Sequence, residues 1–171
     1  MKIISLFILL VLIFTGCTKE VDISNLIVGT NELVYEKGEH SPFSGTAILK
    51  KNNNVLTLWN YKNGKANGIC KNYYENGSLK FLGEFKDGLL NGVLREFNND
   101  GTLILEENYL KGFLNGEKKE FYENGTLKSL ETYKHDFLDG PRITYNSDGK
   151  PKIKEIYKLD EAIETIIWPN D

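Results

Sequence analysis

Few side chains in this sequence have the types and spacing that chemistry requires. The chain has two cysteines, Cys17 and Cys70, and two histidines, His40 and His135. These four residues do not supply the Cys/His spacing of a zinc site, and no Ser, Cys or Asp constellation accompanies His40 as a catalytic triad would require. Two cysteines also cannot form a disulfide framework. We therefore expect no catalytic residue, no metal site and no cofactor, and hence a protein that is not an enzyme.

Cys17 is the residue whose position indicates a specific modification. It follows an uncharged, mostly apolar run over residues 3–14, which is shorter than the ~20 residues of a transmembrane helix but has the length of a signal-peptide core. The run leads into Thr15-Gly16-Cys17, which resembles the lipobox of bacterial lipoproteins, although Phe14 stands where Leu, Val or Ile is usual. The resemblance implies a signal helix over residues 1–16 and a lipid on Cys17. The protein would then be secreted and anchored to a bacterial membrane, in the cell envelope or at its surface. An ordinary secretory signal with a chance cysteine is the alternative.

The composition is that of one globular domain. Of 171 residues, 40% are hydrophobic and 26% are charged, which is not the balance of a disordered chain. The formal net charge of −3 argues against nucleic acid as a partner, because such binding depends on phosphate neutralisation by Lys and Arg. The aromatic side chains are mostly Tyr and Phe, which favour strands.

A 24-residue repeat starts at Tyr61 and fills residues 61–156 with four copies. Self-similarity at a fixed period indicates a repeat architecture. The first and thirteenth positions are aromatic, and these residues are Tyr61, Phe85, Tyr109 and Tyr133, and Tyr73, Phe97, Phe121 and Tyr145. The eighth position is glycine in every copy, and these residues are Gly68, Gly92, Gly116 and Gly140. The seventeenth position is a glycine that follows Asn or Asp, and these residues are Gly77, Gly101, Gly125 and Gly149.

The Asn-Gly and Asp-Gly pairs predict a β-hairpin in every copy. A two-residue turn on Asn76-Gly77 would pair Tyr73 with Lys80, whereas a three-residue turn with left-handed Gly77 would pair Tyr73 with Leu79. Because paired residues share a face and a slip would expose one apolar column, we favour the second register. A second turn is predicted between the third and eighth positions, so that both glycine columns lie in turns. The predicted fold is all-β, an elongated antiparallel sheet of tandem 24-residue hairpins that follows the signal helix.

The two aromatic columns are predicted to form the core of the repeats. In the first copy the apolar face is expected to collect Tyr61, Tyr73, Leu79 and Phe81. The opposite face is expected to carry lysines, namely Lys62, Lys80, Lys86, Lys128, Lys134, Lys152 and Lys158. Two functional alternatives are an aromatic cage for a quaternary ammonium ligand and a lysine surface for an anionic headgroup, glycan or acidic partner. The column of Cys70 varies between copies, which indicates a chemically undemanding position.

The repeats also define the expected domain organisation. Residues 17–32 are interpreted as a tether, and residues 33–60 as an incomplete first repeat, because Pro42-Phe43-Ser44-Gly45 matches the end of the second turn. Residues 61–156 are the four full repeats. Residues 157–171 lose the pattern and are expected to form a strand or short helix that caps the last open face. The apolar residues of that cap are Ile163, Ile166, Ile167 and Trp168.

These columns resemble those of the bacterial MORN-repeat variant family over about residues 33–158. Repeat four departs from the pattern at Asp136, Pro141 and Pro151. Members of the family are often secreted or lipid-anchored, and many carry the label of toxin–antitoxin system antitoxin. The resemblance implies a non-catalytic binding scaffold for a protein or an envelope polymer, held at the membrane by the lipid on Cys17. The alternative is an antitoxin or immunity protein that neutralises a cognate toxin.

Overall fold

The computed structural model describes residues 19–169, so the predicted signal helix and the lipidation site Cys17 lie outside the described residues. One short 3₁₀ turn, Ile23–Asn25, interrupts a chain that is otherwise strands and turns. The strands are β1 (Glu20–Asp22), β2 (Leu26–Val28), β3 (Val34–Glu36), β4 (Gly45–Lys51), β5 (Asn54–Lys62), β6 (Lys65–Ala66), β7 (Gly68–Tyr73), β8 (Leu79–Lys86), β9 (Leu89–Phe97), β10 (Leu103–Leu110), β11 (Phe113–Phe121), β12 (Leu127–Lys134), β13 (Phe137–Tyr145), β14 (Pro151–Lys158) and β15 (Glu161–Ile167). Between residues 19 and 169, no helix has the length and apolarity needed to cross a membrane.

One long sheet dominates the structure. Its strand order is β1-β4-β5-β7-β8-β9-β10-β11-β12-β13-β14-β15, with β6 also paired to β5. β1 runs parallel to β4, and every later pair of neighbours is antiparallel. These neighbours are consecutive in the chain except β5 and β7, between which the short β6 lies. The strands β2 and β3 form a separate antiparallel pair. The predicted all-β fold of successive hairpins is confirmed.

The hairpin turns lie on the two long sides of this sheet. Side A carries two-residue turns at 63–64, 87–88, 111–112, 135–136 and 159–160, whose residues all have positive φ, as type I′ turns require. Side B carries a two-residue turn at 52–53 and three-residue turns at 75–77, 99–101, 123–125 and 147–149. In each three-residue turn the last residue is a glycine with φ between 81° and 90°. Tyr73 pairs with Leu79 across the first of these turns, which is the register that the sequence favoured.

The other glycine column does not lie in the turns, so that part of the prediction is wrong. Gly92, Gly116 and Gly140 lie inside β9, β11 and β13, and Gly68 is the first residue of β7. The register shifts beside them: Phe85 pairs with Leu90 but Gly83 with Leu94, so three residues of β9 oppose Glu84. Gly92 has φ 134°, and a Cβ there would lie 2.8 Å from the Glu84 Cβ. Glycine is therefore required by a strand bulge with a close cross-strand approach.

A second bulge, next to each three-residue turn, separates the two aromatic columns. Tyr73 pairs with Leu79, but Asn72 pairs with Phe81, so Lys80 is an extra residue on β8. Because paired residues share a face and successive residues alternate, Leu79 lies with Tyr73 whereas Phe81 lies on the opposite face. The predicted single apolar face is therefore wrong.

The sheet thus has two aromatic faces. Face 1 carries the first-position residues Tyr61, Phe85, Tyr109 and Tyr133, and face 2 carries the thirteenth-position residues Tyr73, Phe97, Phe121 and Tyr145, as the strand registers require. All eight are half-buried, because most of the sheet is a single layer. The columns are therefore packed surfaces on opposite faces of the sheet, and not the one shared core that the sequence predicted.

The lysines are divided between the faces as well, which corrects the prediction of one lysine surface. Those that directly follow a first-position aromatic residue lie on face 2, and these are Lys62, Lys86, Lys134 and Lys158. Lys80, Lys128 and Lys152 are the extra residues of the bulges. The Lys128 Nζ lies 3.2 Å from a carboxylate oxygen of Glu120, which is a face 1 residue.

The most buried cluster lies at the first end of the sheet. Val21, Phe43 and Ala47 are buried together, and Leu26, Val34, Trp59 and Tyr61 pack against them. Here the β2–β3 pair covers face 1. The interpretation of residues 17–32 as a tether is wrong for their described part, since the valine at position 21 is 7% exposed. Val21 and Leu26 of this segment are core contacts, whereas Ile23, Ile27 and Val28 are exposed.

The last strand continues the hairpin order instead of capping a face. The turn at 159–160 joins β14 to β15, which pair from Lys158–Glu161 to Ile153–Ile167. β15 extends the sheet in its own plane and is its edge strand, so Ile163 and Ile167 remain 65% and 70% exposed. The predicted cap over residues 157–171 is therefore wrong in its placement.

Candidate binding surfaces

A row of aromatic and aliphatic residues crosses face 1 along side A. Phe85 pairs with Leu90, Tyr109 with Leu114 and Tyr133 with Leu138. Such cross-strand aromatic–aliphatic pairs stabilise a sheet surface. The unit recurs every two strands, a distance of about 9.5 Å.

Each of two tyrosines in this row holds a carboxylate beside its ring. The Tyr109 hydroxyl donates to the Glu107 Oε2 at 2.8 Å, and the Tyr133 hydroxyl donates to the Glu131 Oε2 at 2.9 Å. Burial and the hydrogen bond to Glu107 raise the pKa of Tyr109 to about 12. The same two causes raise the pKa of Tyr133. The phenols are therefore hydrogen-bond donors with fixed directions at any physiological pH.

These carboxylates belong to a row of alternating charges across face 1. The register places Glu107, Lys118, Glu131, Arg142 and Glu155 opposite one another on five successive strands. The nitrogen–oxygen distances are 3.8 Å from Lys118 to Glu107, 3.2 Å from Arg142 to Glu131 and 3.6 Å from Arg142 to Glu155. Because both signs alternate, the row can match a partner with its own alternating polar groups.

Sequence reasoning missed this charged row. Its cations occupy the variable column of Cys70, which was judged undemanding, and its acids occupy the column of Gly83. Those two columns become neighbours only in the folded register. A signal was present in the sequence. An acid in the column of Gly83 is followed by a cation in the column of Cys70 of the next copy, as in Glu107 with Lys118 and Glu131 with Arg142.

The first part of face 1 is aromatic rather than charged. Trp59 contacts the rings of Phe81 and Phe85, with ring centroids 6.5 and 5.3 Å apart. The two phenylalanine rings also occupy the space beside Gly83, where a Cβ would lie 2.7 Å from Phe81. The Trp59 indole nitrogen donates to the Asn72 side chain at 3.0 Å. These contacts join strands β5, β7 and β8 without leaving an open aromatic cage.

A shallow cleft adjoins this cluster on side A. It has a volume of about 400 Å³ and lies between the β2–β3 pair and the first two turns of side A. Leu33, Val34, Trp59, Tyr61 and Leu89 supply its apolar lining. The cleft can hold an apolar side chain of a partner.

Face 2 carries a different charged group. The Arg95 Nε lies 2.7 Å from Glu106, and the Lys119 Nζ lies 3.4 Å from the same carboxylate. Burial opposes ionisation of the Glu106 carboxyl, but Arg95 and Lys119 hold its pKa below the ordinary value. The ion pairs tie β9, β10 and β11 together, which indicates a structural role.

The residues with reactive side chains are not arranged for catalysis. Burial raises the pKa of the Cys70 thiol, which keeps it protonated and a weak nucleophile. His135 lies in a turn of side A with φ 52°, and its ring contacts Phe113. Among residues 19–169, no three His, Cys, Asp or Glu side chains are grouped to hold a metal ion.

The repeats match a known family model in three places. The MORN repeat variant model matches residues 66–87, 114–135 and 138–159. These matches cover the hairpin β7–β8 and all but the first residue of the hairpins β11–β12 and β13–β14. The matches support a MORN-repeat protein, and the sheet of successive hairpins agrees with them. No curated protein matches the chain.

Proposed function

We propose that this chain is a lipid-anchored envelope protein whose hairpin sheet is a non-catalytic scaffold that binds a protein or an envelope polymer. The observation that carries the proposal is the recurring unit on face 1. In it a tyrosine, a buried carboxylate and a cation repeat every two strands, as in Tyr109, Glu107 and Lys118 and in Tyr133, Glu131 and Arg142. Fixed donors and acceptors on a rigid surface lower the entropic cost of binding an extended partner.

Lipid anchoring is supported by the position of Cys17. Metabolic labelling with a fatty acid tests it in the wild type and in Cys17→Ser. We expect label in the wild type only. Equal labelling of both chains, or of neither, would remove lipid anchoring from the proposal and leave the scaffold proposal standing.

A protein partner is favoured over a polymer by the open edge of β15. Among the described residues this strand pairs with β14 alone, and a polypeptide strand can add to such an edge through main-chain hydrogen bonds. The edge carries Glu161 and Glu164 and no cation, so the matching segment would combine apolar and basic residues.

Photo-crosslinking in living cells tests which face binds. A photoreactive phenylalanine derivative replaces Glu120 on face 1 in one full-length chain and Glu117 on face 2 in the other. Both positions lie on β11 and both are glutamates. The Glu117 side chain is the more exposed, at 52% against 35% for Glu120, so exposure alone would favour an adduct from face 2. We expect an adduct from position 120 and none from position 117.

The adduct itself identifies the class of partner. A discrete band that a protease removes indicates a protein, and a protease-resistant smear indicates a polymer. If the crosslinked protein arrests growth when it is produced alone, the scaffold acts as an antitoxin. No adduct from either position, or an adduct from position 117 alone, would contradict binding through face 1.

A further inference from the structure

Side A exposes a line of large apolar side chains. Leu89, Leu110, Phe113, Phe137 and Leu159 are between 46% and 59% exposed. Each lies in a two-residue turn or directly beside one. Four of them form cross-strand pairs next to the turns, with Lys86 opposite Leu89, Leu110 opposite Phe113 and Lys134 opposite Phe137. The line follows the long axis of the sheet, with one hairpin turn about every 9.5 Å.

Lysines accompany this line. Those at or beside the side A turns are Lys62, Lys65, Lys86, Lys111, Lys134 and Lys158. They outnumber the acidic residues at the same turns, which are Asp87, Asp136, Asp160 and Glu161. Asp136 and Asp160 direct a carboxylate oxygen to the backbone N–H groups of Leu114 and Leu138, at 2.6 and 2.7 Å, and so face the preceding repeat. Side A therefore combines exposed Leu and Phe with a modest excess of positive charge.

The amino-terminal end of the described chain lies on the same side. The Lys19 carbonyl accepts a hydrogen bond from the Thr46 amide at 2.8 Å, next to Gly45, which pairs with Tyr61. Tyr61 lies two residues before the first turn of side A. Cys17 is two residues before Lys19 in the sequence, and two residues span at most about 7 Å. An anchor at Cys17 therefore holds side A, and not side B, near the bilayer.

We infer that side A is a membrane-docking edge. Along this edge the sheet contacts the surface of the bilayer that holds its anchor. The inference rests on the proposed anchoring at Cys17. Exposed Leu and Phe beside lysines is the composition that inserts at the headgroup boundary of anionic membranes. The sheet then stands on side A, with side B directed away from the lipid and face 1 accessible to a partner.

Hydrogen exchange on vesicles tests the docking edge. The full chain, purified from its own membranes, is reconstituted into vesicles of phosphatidylcholine with phosphatidylglycerol, and exchange is compared with the same chain in detergent. We expect the vesicles to slow exchange at residues 86–89, 110–113 and 134–137, and to leave residues 75–78, 99–102 and 123–126 unchanged. The two sets are turns on opposite sides of the same sheet, so each chain contains its own control.

A variant links the protection to the apolar line. Phe113→Ser with Phe137→Ser should lose the vesicle-dependent protection on side A. Both rings are about half exposed, so the fold should persist, and the exchange of the side B turns verifies this. Protection that is absent, equal on both sides or confined to side B would overturn the inference, as would protection that survives in the double variant. Fatty-acid labelling of the same sample reports separately whether Cys17 carries the lipid.

Discussion

The phenol of Tyr109 is held neutral by burial and by its hydrogen bond to Glu107, which raise its pKa to about 12. We expect Glu107→Gln to lower that pKa, because the substitution removes the neighbouring negative charge. Titration of the phenolate absorbance measures it, with Tyr109→Phe to identify the transition. Since the folded-state pKa exceeds the ordinary value near 10, the stability that the neutral phenol contributes is complete below pH 10. It is lost as the pH rises towards 12. An unchanged transition in Glu107→Gln would contradict this assignment.

The two glycine columns should respond differently to alanine. Gly101 has φ 90° with no atom within 4 Å of an added Cβ, so Gly101→Ala should cost only the left-handed strain of about 1–2 kcal/mol. Gly140 has φ 139°, and an added Cβ would lie 2.9 Å from the Thr132 Cβ. Gly140→Ala should therefore cost more than Gly101→Ala. Denaturant unfolding ranks the two variants, and the reverse ranking would refute the bulge assignment.

At the scale of elements, the sequence predicts strands, their order and the three-residue turns, because the 24-residue period fixes each of them. It does not predict the faces. The single extra residue Lys80 places Phe81 on the face opposite Leu79. The alternation of side chains between the two faces cannot be counted from the sequence when no residue type marks the position of a bulge. The glycine at position 92 was misplaced for a related reason, since a turn and a close cross-strand approach both select glycine.

The single-layer sheet changes the expected cost of core substitutions. Leu94 is 8% exposed, and Leu94→Ala should destabilise the protein by about 2–3 kcal/mol through lost burial and a cavity. Phe97 is half-buried with one side open to solvent, so Phe97→Ala should cost about 1.5 kcal/mol. Chemical denaturation of both variants measures the difference. A larger loss for Phe97→Ala would indicate that face 2 is covered by a second layer.

The edge strand β15 should control self-association. Its seven residues are all exposed and include Ile163 and Ile167, and a long apolar edge is a template for strand addition. We expect Ile163→Lys with Ile167→Lys to reduce concentration-dependent association in light scattering. Ile69→Lys, which changes an exposed isoleucine away from the edge, is the control and should have little effect. Equal effects would contradict an edge mechanism.

The whole molecule is a nearly one-dimensional array in which each hairpin contacts its neighbours in the chain. Within residues 19–169, the buried cluster lies at the first end, around Val21, Phe43 and Ala47. In the proposed function, face 1 binds the partner and side A rests on lipid. Anchoring and recognition are then separated on one scaffold, because the strand register fixes the positions of both surfaces.

Binding of the crosslinked partner by matched face variants tests the central claim most directly. Tyr109→Ala with Tyr133→Ala changes face 1, and Phe97→Ala with Phe121→Ala changes face 2 at half-buried aromatic residues of neighbouring repeats, so the two variants should lose comparable stability. Isothermal titration measures the affinity of the wild type and both variants. We expect the face 1 variant to lose about 30-fold in affinity, as binding hot spots do. The affinity of the face 2 variant should be unchanged. An unchanged affinity for the face 1 variant, or an equal loss for both, would contradict recognition through face 1.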